Sequence, residues 1–312
     1  VTAAPVAIVG PTASGKTGVG VLVAEALGAE IVGCDSRQIY RGLGVGTAQP
    51  TAAERARVRH HLVDAVDPAA RFSAADYRAA VLPLLDALAA AGRTPLFVGG
   101  TGLWLRAALA PLDPAPPAQP LLRRWLQALA ADLPGGLHPL LARVDPAAAA
   151  RIHPNDRYRV VRALEVHHRG GRPQSAGHAR PRPSRQPLPA RVFAIAVPPE
   201  QLRARIDRRV GAMLDAGWLD EVRGLLARGL DPALPALGAV GYPELIAHLR
   251  GEATLDAARE AIRRATWQYA RRQLTWFRAL PGVVWVAGGE GAPDERVAAA
   301  ILERLRAGEA AA

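Results

Sequence analysis

The chain has 312 residues, half of them apolar, which is enough for a large core and more than one folded unit. No apolar run approaches the roughly 20 residues that span a bilayer, the first residues lack the basic-then-apolar pattern of a signal peptide, and the lone Cys34 precludes an intrachain disulfide, so a cytoplasmic protein is expected. The formal charge of +11 favours an anionic macromolecule or acidic surface as partner; 38 of the 39 basic residues are arginine, and the single lysine is Lys16.

The first predicted element is the buried strand "VAIVG" (6–10), followed by Gly10-Pro11-Thr12-Ala13-Ser14-Gly15-Lys16-Thr17 and a helical periodicity from Thr17 to Leu27. Strand, small-residue loop and helix are the context in which such a loop cradles phosphate: successive N–H groups turn inward, the lysine supplies charge, and the threonine hydroxyl can ligate Mg²⁺. A compact ammonium and a planar guanidinium are not equivalent beside a phosphate. In a chain that otherwise uses arginine, the lysine at position 16 therefore marks a site that needs an ammonium. The strand "EIVGCD" (30–35) ends in Asp35, where parallel sheets place ligands, although an Asp there can also cap a turn. Three residues on, the Gln38 carboxamide has the donor–acceptor pair that reads the N6/N7 edge of adenine.

A helix is predicted over 74–91 and a strand over 94–100, running into Gly100-Thr101-Gly102. Thr101 thus offers a hydroxyl where many NTPases hold a metal-binding Asp. Residues 111–120 form a Pro-rich linker; 121–169 read as helices, with Leu121, Leu122, Trp125, Leu126 and Leu129 at helical spacing; and 170–190 are rich in Pro, Gly, Ser and Arg. Residues 151–191 carry ten arginines against Asp156 and Glu165, with Arg159 and Arg162 neighbours on one helix, a charge density that suits a nucleic-acid backbone. After the strand 191–197, the stretch 200–222 reads as one amphipathic helix. Its apolar face carries Leu202, Ile206, Val210 and Met213; Arg205 and Arg209 share another, and one of them is placed to reach the same phosphates as Lys16. The aromatics of the helix 265–280 spread around its axis and read as core, and 282–288 is the last strand.

Strands alternating with helices predict a P-loop NTPase-like α/β fold, a parallel sheet flanked by helices, with a mostly helical insertion. The expected domains are a first part of the core (1–113), the basic insertion (114–189) and the rest of the core with C-terminal helices (190–312). On these residues alone an ATP-dependent small-molecule kinase fits the loop equally well. The basic segment and the Asp35/Gln38 rim fit an enzyme acting on RNA better.

Seven stretches in order, "GPTASGKT" (10–17), "DSRQIYRGLGVGTAQPT" (35–51), "HHLVDAVDP" (60–68), "FVGGTGLW" (97–104), "IHPNDRYRVVRALEV" (152–166), "LGAVGYPEL" (237–245) and "TWQYARRQLTWFR" (266–278), resemble the bacterial tRNA dimethylallyltransferase (isopentenyltransferase) family. The resemblance implies transfer of a dimethylallyl group from dimethylallyl diphosphate to N6 of an adenosine beside the tRNA anticodon. Residues 10–17 would hold the diphosphate. By the same carry-over, Asp35 is the general base, Thr101 positions it and the amine, and Lys16, Arg209 and Mg²⁺ at Thr17 stabilise the leaving group. Asp35, Ser36, Arg37, Gln38, Thr101, Arg123, Tyr158, Arg159, Val160, Val161, Arg162, Gly238, Ala239, Val240, Gly241, Tyr242 and Pro243 match positions that meet the anticodon stem-loop. A monomer is expected. Prenylation of a free adenine nucleotide is the alternative within the same resemblance. The chain departs from the family pattern at Trp104 (usually Tyr), Tyr158 (usually Gln), Pro243 (commonly basic) and Trp267 (usually Arg), and the last two changes remove charges.

Overall fold

The computed structural model describes residues 4–309, apart from 113–115, 117–118, 134–135, 172, 174 and 177–187. The five predicted strands are all present: β1 (Val6–Val9), β2 (Glu30–Gly33), β4 (Pro95–Gly99), β5 (Arg191–Ala196) and β6 (Val284–Ala287). A sixth, β3 (His60–His61), is too short to leave a periodic signal. They form one parallel sheet in the order β3-β2-β4-β1-β5-β6. β1 and β4 are buried along their whole length, as unbroken apolar runs covered on both faces should be.

The helices are α1 (Lys16–Leu27), α2 (Ala52–Arg57), α3 (Ala74–Ala90), α4 (Gly102–Leu109), α5 (Pro120–Asp132), α6 (His138–Val144), α7 (Pro146–Ala149), α8 (Arg157–Gly170), α9 (Pro199–Asp215), α10 (Trp218–Ala227), α11 (Tyr242–Leu249), α12 (Leu255–Arg278) and α13 (Asp294–Glu309). None is long and apolar enough to cross a membrane among the described residues. The stretch 200–222, predicted as one helix, is two: Gly217 takes φ 91°, a left-handed conformation that ends α9 and turns the chain into α10.

Two compact units are present, Val1–Ala110 with Pro187–Ala312, and Pro111–Gln186. The first encloses the sheet and the main core, which includes the fully buried Ile8, Phe97, Phe193, Trp218, Tyr242 and Phe277. The second has its own small core of Leu126, Leu137, Leu141, Val160, Val161 and Leu164. Its α5 departs from the expected apolar stripe: Leu126 is buried, whereas Leu121 and Trp125 are 80% and 59% exposed. Most of the segment 170–190 lies outside the described residues.

Within the sheet, Val9 of β1 lies beside Gly99 of β4, and Val98 of β4 beside Gly33 of β2. The loops 10–15, 34–38 and 100–101 therefore leave the carboxyl edge of three adjacent strands. Parallel sheets bind ligands at that edge.

Candidate active site

The phosphate loop is built for an anion. Ala13 and Gly15 both take positive φ, 63° and 91°, and the N–H groups of Gly15, Lys16 and Thr17 find no backbone acceptor among the described residues. α2 and α3 begin with reciprocal capping boxes, from Thr51 with Glu54 and from Ser73 with Asp76. By contrast, α1 has no side-chain cap and no acidic residue in its first turn. Its positive end is left for a ligand. Inside the loop the Ser14 hydroxyl is buried and has no hydrogen-bond partner among the described residues. The Thr12 N–H donates to Gln273 Oε1 at 2.8 Å, and Thr12 also lines the cavity that Lys16 and Arg209 share.

Lys16 is 8% exposed, and among the described residues its Nζ donates only to the Pro11 carbonyl, at 3.3 Å. Burial pulls its pKa down to about 8, with the Asp35 charge opposing and Arg209 reinforcing that shift. Arg209, on α9, has no hydrogen-bond or ion-pair partner among the described residues. Burial lowers its pKa, and Asp35 partly restores it. Two desolvated cations thus face one space, an arrangement whose charge repulsion an anion would relieve. Arg205 lowers the pKa of Asp294 at the start of α13, against the larger effect of burial.

That space is a cavity of about 270 Å³ whose lining includes Lys16, Arg209, Asp35, Trp218, Tyr269 and Arg272. The Asp35 carboxylate is oriented by its own turn: Oδ1 accepts from the N–H of Arg37 at 2.9 Å and of Gln38 at 3.5 Å, and Oδ2 accepts nothing among the described residues. The carboxylate thus caps its own turn through one oxygen only. Thr101 Oγ accepts from the Ser36 N–H at 3.0 Å and donates to the Ser36 hydroxyl at 3.3 Å, locking the β4 loop to the β2 loop. Burial pushes the Tyr269 phenol up, the Asp35 charge adds to this, and a hydrogen bond to Thr101 opposes it.

Several other predicted residues are engaged within the fold. The Gln38 Nε2 is committed to the carbonyls of Thr47 (3.1 Å) and Ala48 (2.7 Å), so its amide cannot read adenine bidentately without releasing that loop. Arg37 donates to the Pro235 carbonyl and still lines the cavity. Gly238, Ala239 and Val240 line it too, but Tyr242 is fully buried and donates to Glu221 at 2.7 Å, and Gly241 packs beneath Trp218. Pro243 is exposed at the start of α11.

In the helical unit, Arg123 and Arg162 both donate to Glu165 Oε2 at 2.7 Å. Burial alone would raise the pKa of Glu165, but the hydrogen bonds from Arg162, the Gln119 N–H and Arg123 hold it below the usual carboxylate range. Val160 and Val161 are core residues. This leaves Tyr158 (69% exposed) and Arg159, which reaches Asp156 at 3.3 Å, as surface groups of the predicted set.

Three residues were not singled out from sequence. Glu221 accepts the N–H groups of Val45 (2.7 Å) and Gly46 (3.0 Å) and shapes the loop that closes the cavity. Tyr269 and Gln273 lie in an aromatic-rich helix that reads as core; the only signal was that polar groups stand at 269 and 273, one helical turn apart.

A phosphate loop under an uncapped helix, two buried cations and a carboxylate across a cavity define a P-loop enzyme of the group-transferring kind. The chain belongs to the IPP transferase family, whose model matches residues 38–280. It is 50% identical over 283 residues to the tRNA dimethylallyltransferase of Anaeromyxobacter dehalogenans, covering 90% of this chain and 94% of that one. It is 46% identical over 282 residues to that of Geobacter sulfurreducens, covering 90% and 91%. The crystal structure of the full-length tRNA isopentenylpyrophosphate transferase from Bacillus halodurans superposes with a TM-score of 0.71 at 36% identity, covering 98% of this chain and 96% of the other.

Proposed function

We propose that the chain transfers the dimethylallyl group of dimethylallyl diphosphate to the exocyclic N6 of an adenosine beside the anticodon of tRNA, releasing diphosphate. The observation that carries this reading is the cavity that Lys16 and Arg209 line together with Asp35. An anion held by the first two presents its allylic carbon to the space that the carboxylate faces.

The exocyclic amine is a weak nucleophile because its lone pair is delocalised into the ring. Oδ2 of Asp35 takes its proton as the C–N bond forms, while Oδ1 stays fixed by the Arg37 N–H. Thr101, held by Ser36, orients the amine beside Asp35. As the C–O bond breaks, negative charge grows on the diphosphate, where Lys16, Arg209 and the loop N–H groups stand preorganised. Stabilisation of this kind commonly accelerates group transfer more than any other single effect. Mg²⁺ suits the oxygen donors available. The Thr17 hydroxyl would hold it, in a second cavity that Lys16, Glu54 and Asp294 also line, and it would neutralise charge on the leaving group. A loop nucleotide leaves its stack more easily than a duplex one, which favours an anticodon loop over a helix as substrate.

The test incubates the protein with bulk tRNA, Mg²⁺ and radiolabelled dimethylallyl diphosphate, with AMP and labelled ATP as parallel arms. Label is expected in acid-precipitable tRNA. Label on AMP alone, or phosphate transfer from ATP, overturns the reading.

A further inference from the structure

Gln273, on α12, is 5% exposed, and both ends of its carboxamide are used. Oε1 accepts from the Thr12 N–H at 2.8 Å, and Nε2 donates to the Gly100 carbonyl at 2.9 Å. Thr12 belongs to the phosphate loop after β1, and Gly100 immediately precedes Thr101 in the loop after β4. One buried side chain therefore ties together the two loops that carry opposite halves of the chemistry. Position 100 leaves room for this tie: a Cβ there would lie 2.1 Å from Gln273 Nε2, so a larger residue would displace the amide from where it stands. The Thr12 bond sets the mouth of the loop against α12. One turn earlier on α12, Tyr269 lines the cavity.

We propose that Gln273 is a positioning residue that fixes the span between the diphosphate loop and the Thr101–Asp35 rim, an inference that rests on the prenyl-transfer reading above. Group transfer between two bound partners is sensitive to such a span, because a misplacement of about 1 Å can lower the rate about 100-fold. A tie made by an amide is also specific in polarity. It needs an acceptor facing Thr12 and a donor facing Gly100, which glutamine supplies and glutamate does not while ionised.

The test compares Gln273→Met, which keeps the length of the side chain and removes both bonds, with Gln273→Glu, which keeps the acceptor and sets an oxygen against the Gly100 carbonyl. Gln273→Met is expected to lower kcat by roughly 10- to 100-fold, with tRNA affinity within about twofold of the parent and a cooperative thermal transition well above the assay temperature. Gln273→Glu is expected to recover relative to the parent as pH falls from about 8 to 5.5, because the protonated acid again donates to Gly100. The Gln273→Met ratio stays flat over the same range. In a Thr101→Ala background, Gln273→Met should lower kcat by a smaller factor than in the parent, since the two act on one alignment. A Gln273→Met enzyme with kcat within twofold of the parent, a flat Gln273→Glu ratio, or full additivity with Thr101→Ala overturns the proposal while leaving the transfer reading intact. A parent that prenylates no tRNA overturns both.

Discussion

The two compact units use arginine in opposite ways. In the sheet-containing unit, Arg209 is desolvated with no hydrogen-bond or ion-pair partner among the described residues, and it lines a cavity with Lys16 and Asp35. In the helical unit, Arg123 and Arg162 converge on the fully buried Glu165. The first arrangement stores charge for a ligand, whereas the second neutralises it within the fold. Counting arginines cannot separate the two; the position of the carboxylate does.

The sharpest way to break this contrast is at the carboxylate that faces the cavity. Asp35→Ala is expected to lower turnover by roughly 10²–10⁴-fold with tRNA affinity little changed, measured by single-turnover kinetics and filter binding. A near-parental rate would remove Asp35 from the chemistry. Arg209→Met should lower turnover by roughly 10²-fold. Thermal unfolding should show no loss of stability, because the charge it removes has no partner in the fold. Glu165→Ala is the mirror case. It should destabilise the helical unit by about 3 kcal/mol in urea unfolding, since two partly buried guanidinium groups lose their acceptor. Transfer chemistry per folded molecule should change little.

The pH dependence of diphosphate binding sharpens the comparison further. The Lys16 pKa is depressed to about 8 in the ligand-free protein, and only the ammonium form attracts the anion. The Kd of inorganic diphosphate by calorimetry should therefore rise above pH 8, by up to about tenfold per unit, and Lys16→Arg should abolish the rise, because a guanidinium keeps its proton. The smallest effect is expected on the helical surface. Arg159→Ala should weaken tRNA binding only a few-fold and reduce the slope of log affinity against log salt by about one. A slope unchanged from the parent would exclude that side chain as a phosphate contact.

Much of the architecture was legible because it follows from local rules. Unbroken apolar runs announced the parallel strands, and the lone lysine inside a small-residue loop announced the phosphate site. Asp35 and Thr101 were legible as strand-end residues. That their loops are tied, through Thr101 and Ser36, depends on β4 pairing with β2, an order that local patterns do not encode. The chain itself determined which groups are available: an anion loop, one ammonium, a carboxylate, a hydroxyl and an excess of arginine. Tertiary structure decided which of them remain free. It joined Arg123 and Arg162 to Glu165, closed the Gln38 amide onto its own loop, and left Arg209 with no partner among the described residues. The physical reason is that a polar group is satisfied by whatever the fold brings within about 3 Å of it. Across separations such as the 261 residues between Thr12 and Gln273, only the folded chain can set that distance.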